Sequence, residues 1–292
     1  MSEKSYTKNI HWFPGHMVKA RRQIEQNLKL VDIAYVVLDS RIPYSSQNPL
    51  LSQILGQKPK LVILNKADLA DPRMTRRWED YFKSEGSGVL VLDSLHKNIK
   101  SAVVSASKGL LAAKFEKEKA KGMRPRAIRA MVLGIPNVGK STFINNLVGR
   151  KATQTANRPG VTRDKQWVKV AGELELLDTP GVLWPKFEDQ RVGMNLALTG
   201  AIKDSILPTD DVALYSALYL AENYSDALVS RYGLVLDIND ATGVEILTEI
   251  GKNRKLLTRG GEVDYDRVCD LIIKEVRDLK LGRLSFETPD AV

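Results

Sequence analysis

The sequence contains a single cysteine, Cys269, so no disulfide can form within the chain. This excludes the small disulfide-stabilised scaffolds of secreted proteins and fits a reducing compartment. No stretch approaches the ~18 apolar residues that a membrane-spanning helix needs. The first ten residues are polar and lack the apolar segment of a secretory signal, so we expect a cytoplasmic protein that does not bind membranes.

The composition is that of a globular protein with an excess of basic residues. Hydrophobic residues make up 43% and charged residues 27% of the chain, which excludes an intrinsically disordered protein. The formal net charge of +9 favours a polyanionic partner, either nucleic acid or an anionic membrane surface. A basic enzyme without such a partner has the same composition, so charge alone leaves both open.

Short apolar runs alternate with helical patterns in the first two thirds of the chain. Four of the runs are typical of parallel strands buried on both faces, at 33–38, 60–64, 89–92 and 128–133. Two more strands, 166–170 and 174–177, are predicted to pair antiparallel through a turn at Ala171 and Gly172. Helical patterns lie between the strands, at 18–30, 47–55, 72–85, 99–119 and 140–148. This alternation predicts an α/β fold with a doubly wound, mostly parallel sheet.

The last third of the chain has a different pattern. Helices are predicted at 212–224, 227–232, 244–250 and 265–279, and no run reads as a buried strand. We therefore predict two domains: an α/β domain with an N-terminal extension over 1–205, and a smaller all-helical domain over 206–292. Between the two halves of the α/β domain, residues 114–129 carry seven Lys or Arg against two Glu, which indicates a surface connection.

Residues 134–141 read Gly-Ile-Pro-Asn-Val-Gly-Lys-Ser and lie between a predicted strand and a predicted helix. This is the pattern and the context of a phosphate-binding P-loop, in which glycines let backbone N–H groups and the helix N-terminus surround a phosphate. Lys140 would reach the β- and γ-phosphates, and Ser141 would bind Mg²⁺, which prefers oxygen ligands. The further nucleotide contacts predicted in this segment are those of Asn137, Val138, Gly139 and Thr142.

A second motif, Asp178-Thr179-Pro180-Gly181, ends the strand at 174–177. It follows the P-loop by about forty residues, which is the separation expected of a Mg²⁺-binding aspartate in a P-loop protein. Asp178 would hold Mg²⁺ through a water molecule, and Gly181 would offer its backbone N–H to the γ-phosphate.

A third motif, Asn65-Lys66-Ala67-Asp68, follows the strand at 60–64 and predicts which base is bound. A carboxylate at Asp68 can accept hydrogen bonds from the N1–H and the exocyclic amine of guanine. Adenine lacks this pair of donors and would leave the carboxylate unpaired, at a cost of several kcal/mol. Lys66 can cover the plane of the base with its aliphatic stem. The chain is therefore predicted to bind GTP and GDP.

The segment that braces the base from the next strand has two candidates. Asp93-Ser94 ends the strand at 89–92, whereas Ser105-Ala106 has the more usual letters but lies in a predicted helix. Nucleotide-binding loops gather at the carboxyl ends of parallel strands, so we choose Asp93 and Ser94.

The order of these motifs is permuted, because the guanine motif precedes the P-loop. Such a permutation leaves the site intact, since all of these loops converge on one edge of one sheet. Between the P-loop and Asp178, Thr162 is the candidate for the threonine that binds Mg²⁺ and senses the γ-phosphate, with Thr153 and Thr155 as rivals.

These motifs, in this order, resemble the circularly permuted P-loop GTPases, and within them the bacterial ribosome biogenesis GTPase A (YlqF) family. The resemblance also rests on Trp12 to Met17, on Asp39-Ser40-Arg41-Ile42-Pro43, on Asp178 to Phe187, and on the stretch around Phe286. It implies GTP hydrolysis, a late step in the assembly of the large ribosomal subunit, and a C-terminal helical domain that binds ribosomal RNA.

The water-orienting residue departs from most GTPases. Val182 and Leu183 follow Asp178 to Gly181, where many GTPases carry a glutamine, and an apolar residue cannot orient the attacking water. The resemblance assigns this role to His16. From the residues alone, a lone N-terminal histidine could equally be structural or contact RNA.

Asn137 of the P-loop matches an asparagine that related GTPases use to bind K⁺. A monovalent cation there would neutralise charge that develops between the β- and γ-phosphates. The resemblance thus implies K⁺ as a second cofactor beside Mg²⁺.

Two other functional classes are weighed against the ribosome assembly GTPase. A signalling or scaffold switch would expose an apolar patch to a protein partner rather than a basic surface. A P-loop kinase or ATPase is disfavoured by Asp68. No DNA partner is expected.

Overall fold

The computed structural model describes residues 14–93, 99–149, 167–170, 172–179, 189–206 and 208–291. Side chains are described within these ranges, apart from those of 14–20, 178, 205 and 291. No helix in these ranges is long and apolar enough to cross a membrane.

A six-stranded sheet forms the centre of the α/β part. Its strands are β1 (Ile33–Asp39), β2 (Lys60–Asn65), β3 (Gly88–Val91), β4 (Ile128–Leu133), β5 (Trp167–Val170) and β6 (Leu174–Asp178). They lie in the order β3-β2-β1-β4-β6-β5, and every neighbouring pair is parallel except β5 and β6. The predicted mostly parallel sheet with an antiparallel edge pair is confirmed.

The central strands β1, β2 and β4 are mainly apolar because helices cover both faces of the sheet, and their polar residues lie at or next to the strand ends. Alternate residues of β1 enter different clusters: Ile33, Tyr35 and Val37 pack on one side, and Ala34, Val36 and Leu38 on the other. The second cluster contains residues of α1 (Pro14–Leu28), α2 (Pro49–Leu55) and α3 (Pro72–Ser84). The first contains those of α4 (Ile99–Leu110) and α6 (Lys140–Val148). This is the doubly wound arrangement that the sequence predicts.

Helix boundaries follow local capping chemistry. Asp71 accepts a hydrogen bond from Arg73 N at 2.8 Å and caps α3, which begins with Pro72 at its first position. Helix α1 begins at Pro14, before the predicted start at 18, so His16 lies within it.

The single helix predicted over 99–119 is wrong. The structure has two helices there, α4 and then α5 (Ala112–Ala120), which meet at Leu111. Gly109 weakens helical propensity just before the break, and the Leu111 side chain is buried in the core at that point.

Helices alone follow β6 in the described ranges, apart from one isolated bridge between Leu257 and Val263. They are α7 (Gln190–Leu198), α8 (Thr209–Asn223), α9 (Ser225–Tyr232), α10 (Gly243–Asn253) and α11 (Tyr265–Arg277), with short 3-10 turns at Asp204–Ile206 and Pro289–Ala291. Helix α7 was not predicted, whereas the four later helices lie where expected. The predicted boundary near residue 205 remains a prediction.

The chain end returns to the α/β part. We call residues 284–290 the C-terminal strap. Within it, Leu284 N donates to Leu69 O and Phe286 N donates to Arg41 O at 2.8 Å, while Trp78 Nε1 donates to Glu287 O. These contacts connect the end of the helical part to the sheet.

Candidate functional site

The strand register brings the predicted motifs to one edge of the sheet. Asp39 at the end of β1 lies opposite Asn65 at the end of β2. Val36 pairs with Leu133, the last residue of β4, and Val132 pairs with Asp178, the last residue of β6. The loops that follow these four strands therefore emerge side by side, where open α/β sheets bind ligands.

The P-loop has a backbone that only glycine can adopt at two positions. Gly134 has a φ of 152°, and a Cβ there would lie 2.5 Å from Val37 O. Gly139 has a φ of 95°, and a Cβ there would lie 2.3 Å from Asn65 Nδ2. The close approach of neighbouring loops thus requires both glycines of the motif.

Helix α6 begins at Lys140, with Ser141 and Thr142 in its first turn. The Lys140 side chain is buried and donates to Ile135 O at 2.7 Å, so its ammonium lies across the loop. Val138 and Gly139 complete the turn into the helix. A positive helix terminus and a lysine at one loop form a binding site for phosphate.

The guanine motif is braced against the P-loop by two side chains. Asn65 Nδ2 donates to Val138 O at 2.7 Å, and Lys66 Nζ donates to Asn137 O at 2.7 Å. Lys66 has a left-handed backbone, with a φ of 59°. Ala67 N donates to Leu92 O, and Asp68 follows at the same edge. The predicted base site and phosphate site are therefore direct neighbours.

Two charged residues beside the guanine motif were given no role by the sequence analysis. Asp39 accepts hydrogen bonds from Lys66 Nζ at 2.9 Å and from Arg41 Nη2 at 2.8 Å. Both Asp39 and Arg41 are buried. A charged pair directly after a buried strand, beside the strand that carries the base motif, was the signal that could have revealed them.

The two candidates for the base brace lie in different places. Strand β3 neighbours β2, and Leu92 N donates to Leu64 O, so Asp93 follows β3 at the carboxyl edge of the sheet. Ser105 and Ala106 lie inside helix α4, as the sequence predicted. Ser94 lies outside the described residues.

The residues present fit Mg²⁺ by the chemistry of their donors. Ser141 is a serine in the first turn of α6, and the backbone of the aspartate Asp178 ends β6, which is hydrogen-bonded to the P-loop strand β4. Both are hard oxygen donors at the edge that holds the phosphate loop. Some predicted site residues lie outside the described residues, namely Thr162, its alternatives Thr153 and Thr155, and Gly181. The side chain of His16 lies outside them as well.

The permuted order of a base loop, a P-loop and a Mg²⁺ aspartate on one parallel sheet defines a circularly permuted GTPase. Comparisons of the chain with protein families and solved structures agree with this class. The family described as 50S ribosome-binding GTPase matches residues 129–229. GNP-bound YlqF from T. maritima superposes with a TM-score of 0.62 at 26% identity, over 93% of this chain and 99% of that one. A GDP-bound structure of TM YlqF gives a TM-score of 0.63.

Curated relatives identify the particular family. The chain is 52% identical to ribosome biogenesis GTPase A of Priestia megaterium, over 96% of this chain and 97% of the relative. It is 50% identical to ribosome biogenesis GTPase A of Bacillus pumilus, over 97% of this chain and 99% of the relative. The chain belongs to the ribosome biogenesis GTPase A family. It is a GTPase of ribosome assembly, and GTPases of this kind generally use Mg²⁺.

Proposed function

We propose that the protein is a GTP-hydrolysing assembly factor that acts at a late step in the maturation of the large ribosomal subunit. Its nucleotide state would control binding to the subunit and its rRNA. The main support for the GTP site is a pair of hydrogen bonds, from Asn65 to the P-loop carbonyl of Val138 and from Lys66 to that of Asn137. They set the base loop and the phosphate loop beside each other before nucleotide arrives. A cytoplasmic location goes with this role.

Each motif has a distinct part in binding. Asp68 pairs with guanine, Lys66 covers its plane, and Asp93 and Ser94 brace it. The P-loop residues from Asn137 to Thr142 and the N–H of Gly181 surround the phosphates. Ser141, Thr162 and Asp178 would hold Mg²⁺, which would supply positive charge to the bound phosphates.

We propose that His16 orients the attacking water, because Val182 and Leu183 cannot. Helix α1 would carry this side chain. His16→Ala is expected to lower GTP hydrolysis on ribosomal particles by about 10²-fold or more, as for loss of an orienting catalytic group. His11→Ala, which removes a histidine five positions earlier, is the matched control. Normal hydrolysis by the His16 variant would exclude the assignment.

Asn137 is proposed to bind K⁺ through its amide oxygen. Its amide nitrogen donates to Gly200 O at 3.1 Å, which orients the group. Hydrolysis should be faster in K⁺ than in Na⁺ in the parent protein, and Asn137→Ala should abolish the difference. Equal rates in the two salts would remove K⁺ from the mechanism.

A short relay supports coupling between nucleotide and the helical part. Asn137 of the P-loop contacts Gly200, just after α7. Arg277 of α11 donates to Ala197 O at 2.7 Å and to Leu198 O at 3.0 Å. The same four-residue stretch, 197–200, therefore contacts both the phosphate loop and α11, so a shift of the P-loop can reach α11 through the end of α7.

Exposed cations support an RNA partner. Lys252, Lys255 and Arg259 lie on the α10–α11 side of the helical part. Lys117, Lys119, Lys121 and Arg124 form a second exposed group on α5 and the segment after it. Binding through phosphate contacts should weaken steeply with salt, because each neutralised phosphate releases counterions.

The deciding experiment measures GTP hydrolysis with purified large subunits, with small subunits as the matched control, in K⁺ buffer. Specific stimulation by large subunits is expected. The alternative, a switch with a protein partner, is favoured by exposed apolar side chains on the helical part, such as Leu218, Val235 and Val244. Intact GTP binding without stimulation by either subunit would support that alternative.

A further inference from the structure

Asp39 connects the guanine motif to a buried arginine. Its side chain is 2% exposed and its two oxygens accept four hydrogen bonds. Oδ2 accepts from Arg41 Nη2 at 2.8 Å and from Lys66 Nζ at 2.9 Å. Oδ1 accepts from Arg41 Nε at 3.0 Å and from Arg41 N at 3.1 Å. Such a fully bonded carboxylate has a fixed position.

The surrounding charges keep this carboxylate ionised. Burial by itself would raise the pKa of Asp39, but Arg41 and Lys66 outweigh it and hold that pKa well below its usual range. Arg41 is also attracted by the charge of Asp68. Charges of alternating sign thus run through Lys66, Asp39, Arg41 and Asp68 at the base-binding edge.

Arg41 is itself held by parts of the chain that are distant in sequence. Its Nη2 donates to Thr199 O at 3.1 Å, after α7, and its carbonyl accepts from Phe286 N of the C-terminal strap. The guanidinium therefore cannot follow Lys66 if that side chain moves. The cluster is therefore anchored by the chain just after α7 and by the C-terminal strap.

The ammonium of Lys66 lies between Asp39 Oδ2 and Asn137 O, with its side chain 24% exposed. Two fixed acceptors define one orientation of a flexible side chain that otherwise samples many rotamers. The stem between the left-handed backbone and the fixed ammonium then lies ready to cover a base.

We propose that Asp39 is a positioning residue for guanine nucleotide binding, which fixes the Lys66 stem over the base site, and that Arg41 fixes Asp39. The inference rests on the proposed role of residues 65–68 as the guanine loop. Asp39 does not touch the nucleotide, so it acts on the affinity for GTP and GDP alike and leaves the hydrolysis step unchanged.

The test is a double-mutant cycle on GDP affinity, measured by equilibrium titration with a fluorescent GDP analogue. Asp39→Asn is expected to raise Kd by about tenfold, the loss of one charge-assisted contact to Lys66. Lys66→Met should raise Kd by a similar or larger factor. The double variant should bind no more weakly than Lys66→Met alone, because Asp39 acts through Lys66. Additive effects, or an unchanged Kd for Asp39→Asn, would overturn the proposal.

Asp32→Asn is the matched control. Asp32 is also a buried aspartate that accepts from two cations, Lys114 and Arg126, but it lies before β1, at the other end of that strand. It should lose stability without loss of GDP affinity. A GDP affinity loss equal to that of Asp39→Asn would mean that any buried ion pair has this effect, and would also overturn the proposal.

Two measurements separate the remaining outcomes. At saturating GTP, kcat without ribosomes should be unchanged in Asp39→Asn while KM rises. Arg41→Lys keeps a positive charge next to Asp39 but loses the bidentate contact, so it replaces Asp39→Asn in the test if that variant does not fold. Its effect on the Kd for GDP should likewise vanish in the Lys66→Met background. A parent protein that binds neither GDP nor GTP would refute the proposed function, whereas normal parent binding with unaffected variants would refute only the role of Asp39.

Discussion

Glu287 of the C-terminal strap should give the protein a distinctive pH dependence of stability. Its carboxylate accepts from Tyr44 N at 2.7 Å, Ser45 N at 2.9 Å and Asn195 Nδ2 at 3.0 Å, and it also contacts Ser45 Oγ. Burial raises the pKa of Glu287 to about 7, although the hydrogen bonds from Ser45, Tyr44 and Asn195 lower it. The carboxyl thus keeps its proton in the folded protein to a higher pH than in the unfolded chain.

The size and sign follow from proton linkage. The pKa moves from 4.5 to about 7, and each unit corresponds to about 1.4 kcal/mol, so about 3 kcal/mol is involved. The unfolded chain loses this proton near pH 4.5, whereas the folded protein loses it near pH 7. This contribution to the free energy of unfolding is fully present below pH 4.5, falls as the pH rises to 7, and is constant above that.

Glu287→Gln removes the titration and keeps the shape of the side chain. Its amide has one accepting oxygen in place of two. Oε2 of the glutamate accepts from Tyr44 N and Oε1 accepts from Asn195 Nδ2, so one of these two donors loses its acceptor, at a cost of about 1–2 kcal/mol that does not depend on pH. We expect the difference in stability between the parent and the variant to shrink as the pH rises from 5 to 7.5. Urea unfolding at closely spaced pH values, with the same buffer ions throughout, measures this difference.

Glu262→Gln is the control, because Glu262 is an exposed glutamate of the same helical part. Its difference from the parent should be flat over the same pH range. A flat difference for Glu287→Gln as well, or one that grows with pH, would show that the strap carboxyl does not hold its proton in the folded state.

Three further predictions test other parts of the molecule. Asp32→Asn should lower the free energy of unfolding by about 2–3 kcal/mol at pH 7, as measured by chemical denaturation. This is less than for a wholly buried ion pair, because Lys114 and Arg126 are partly exposed, and an unchanged free energy of unfolding would contradict the pairing. Gly139→Ala should weaken GDP binding by tenfold or more, because its Cβ would collide with Asn65 Nδ2. Gly149→Ala is the control, because Gly149 also has a positive φ, 73°, but has open space around it, so GDP affinity should stay intact. Equal losses of affinity would assign the effect to backbone strain alone. Arg277→Ala should reduce the difference in large-subunit binding between the GTP and GDP states in sedimentation assays, and an undiminished difference would exclude the α7 relay.

The sheet and the nucleotide loops could be predicted because their signals are local. A strand buried on both faces is mainly apolar, so β4 and its neighbours are visible in the sequence as apolar runs, and β4 and α6 have the predicted bounds. The P-loop and the guanine motif have fixed letters because backbone geometry and base chemistry demand them. Helix α7 was missed because every side chain from Val192 to Leu198 is buried, and a helix covered all round has no amphipathic period.

The features that escaped prediction depend on contacts between distant residues. Glu287 meets Ser45 across 242 positions of sequence, and nothing in the letters around Glu287 indicates a buried carboxyl. Arg41 meets Thr199 across 158 positions. Asp39 and Arg41 were visible as a motif, but their role depends on the ammonium of Lys66, whose direction only the folded loop defines.

The permuted order of the motifs leaves the nucleotide site intact but changes which segment of the chain follows β6. The bonds from Asn65 and Lys66 to the P-loop close separations of 73 and 71 positions, and the entropy of loop closure rises only slowly with length, so exchanging the order of the two motifs costs little. What the exchange alters is the segment that follows β6. Here that segment leads into α7. Just after α7, Thr199 O accepts from Arg41 and Gly200 O accepts from Asn137 of the P-loop, while Arg277 of the helical part donates to Ala197 O in the last turn of α7. Because the P-loop and Arg277 of α11 contact the same short stretch, we propose that a change of phosphate state reaches α11 through it, without contact between the nucleotide and α11 itself.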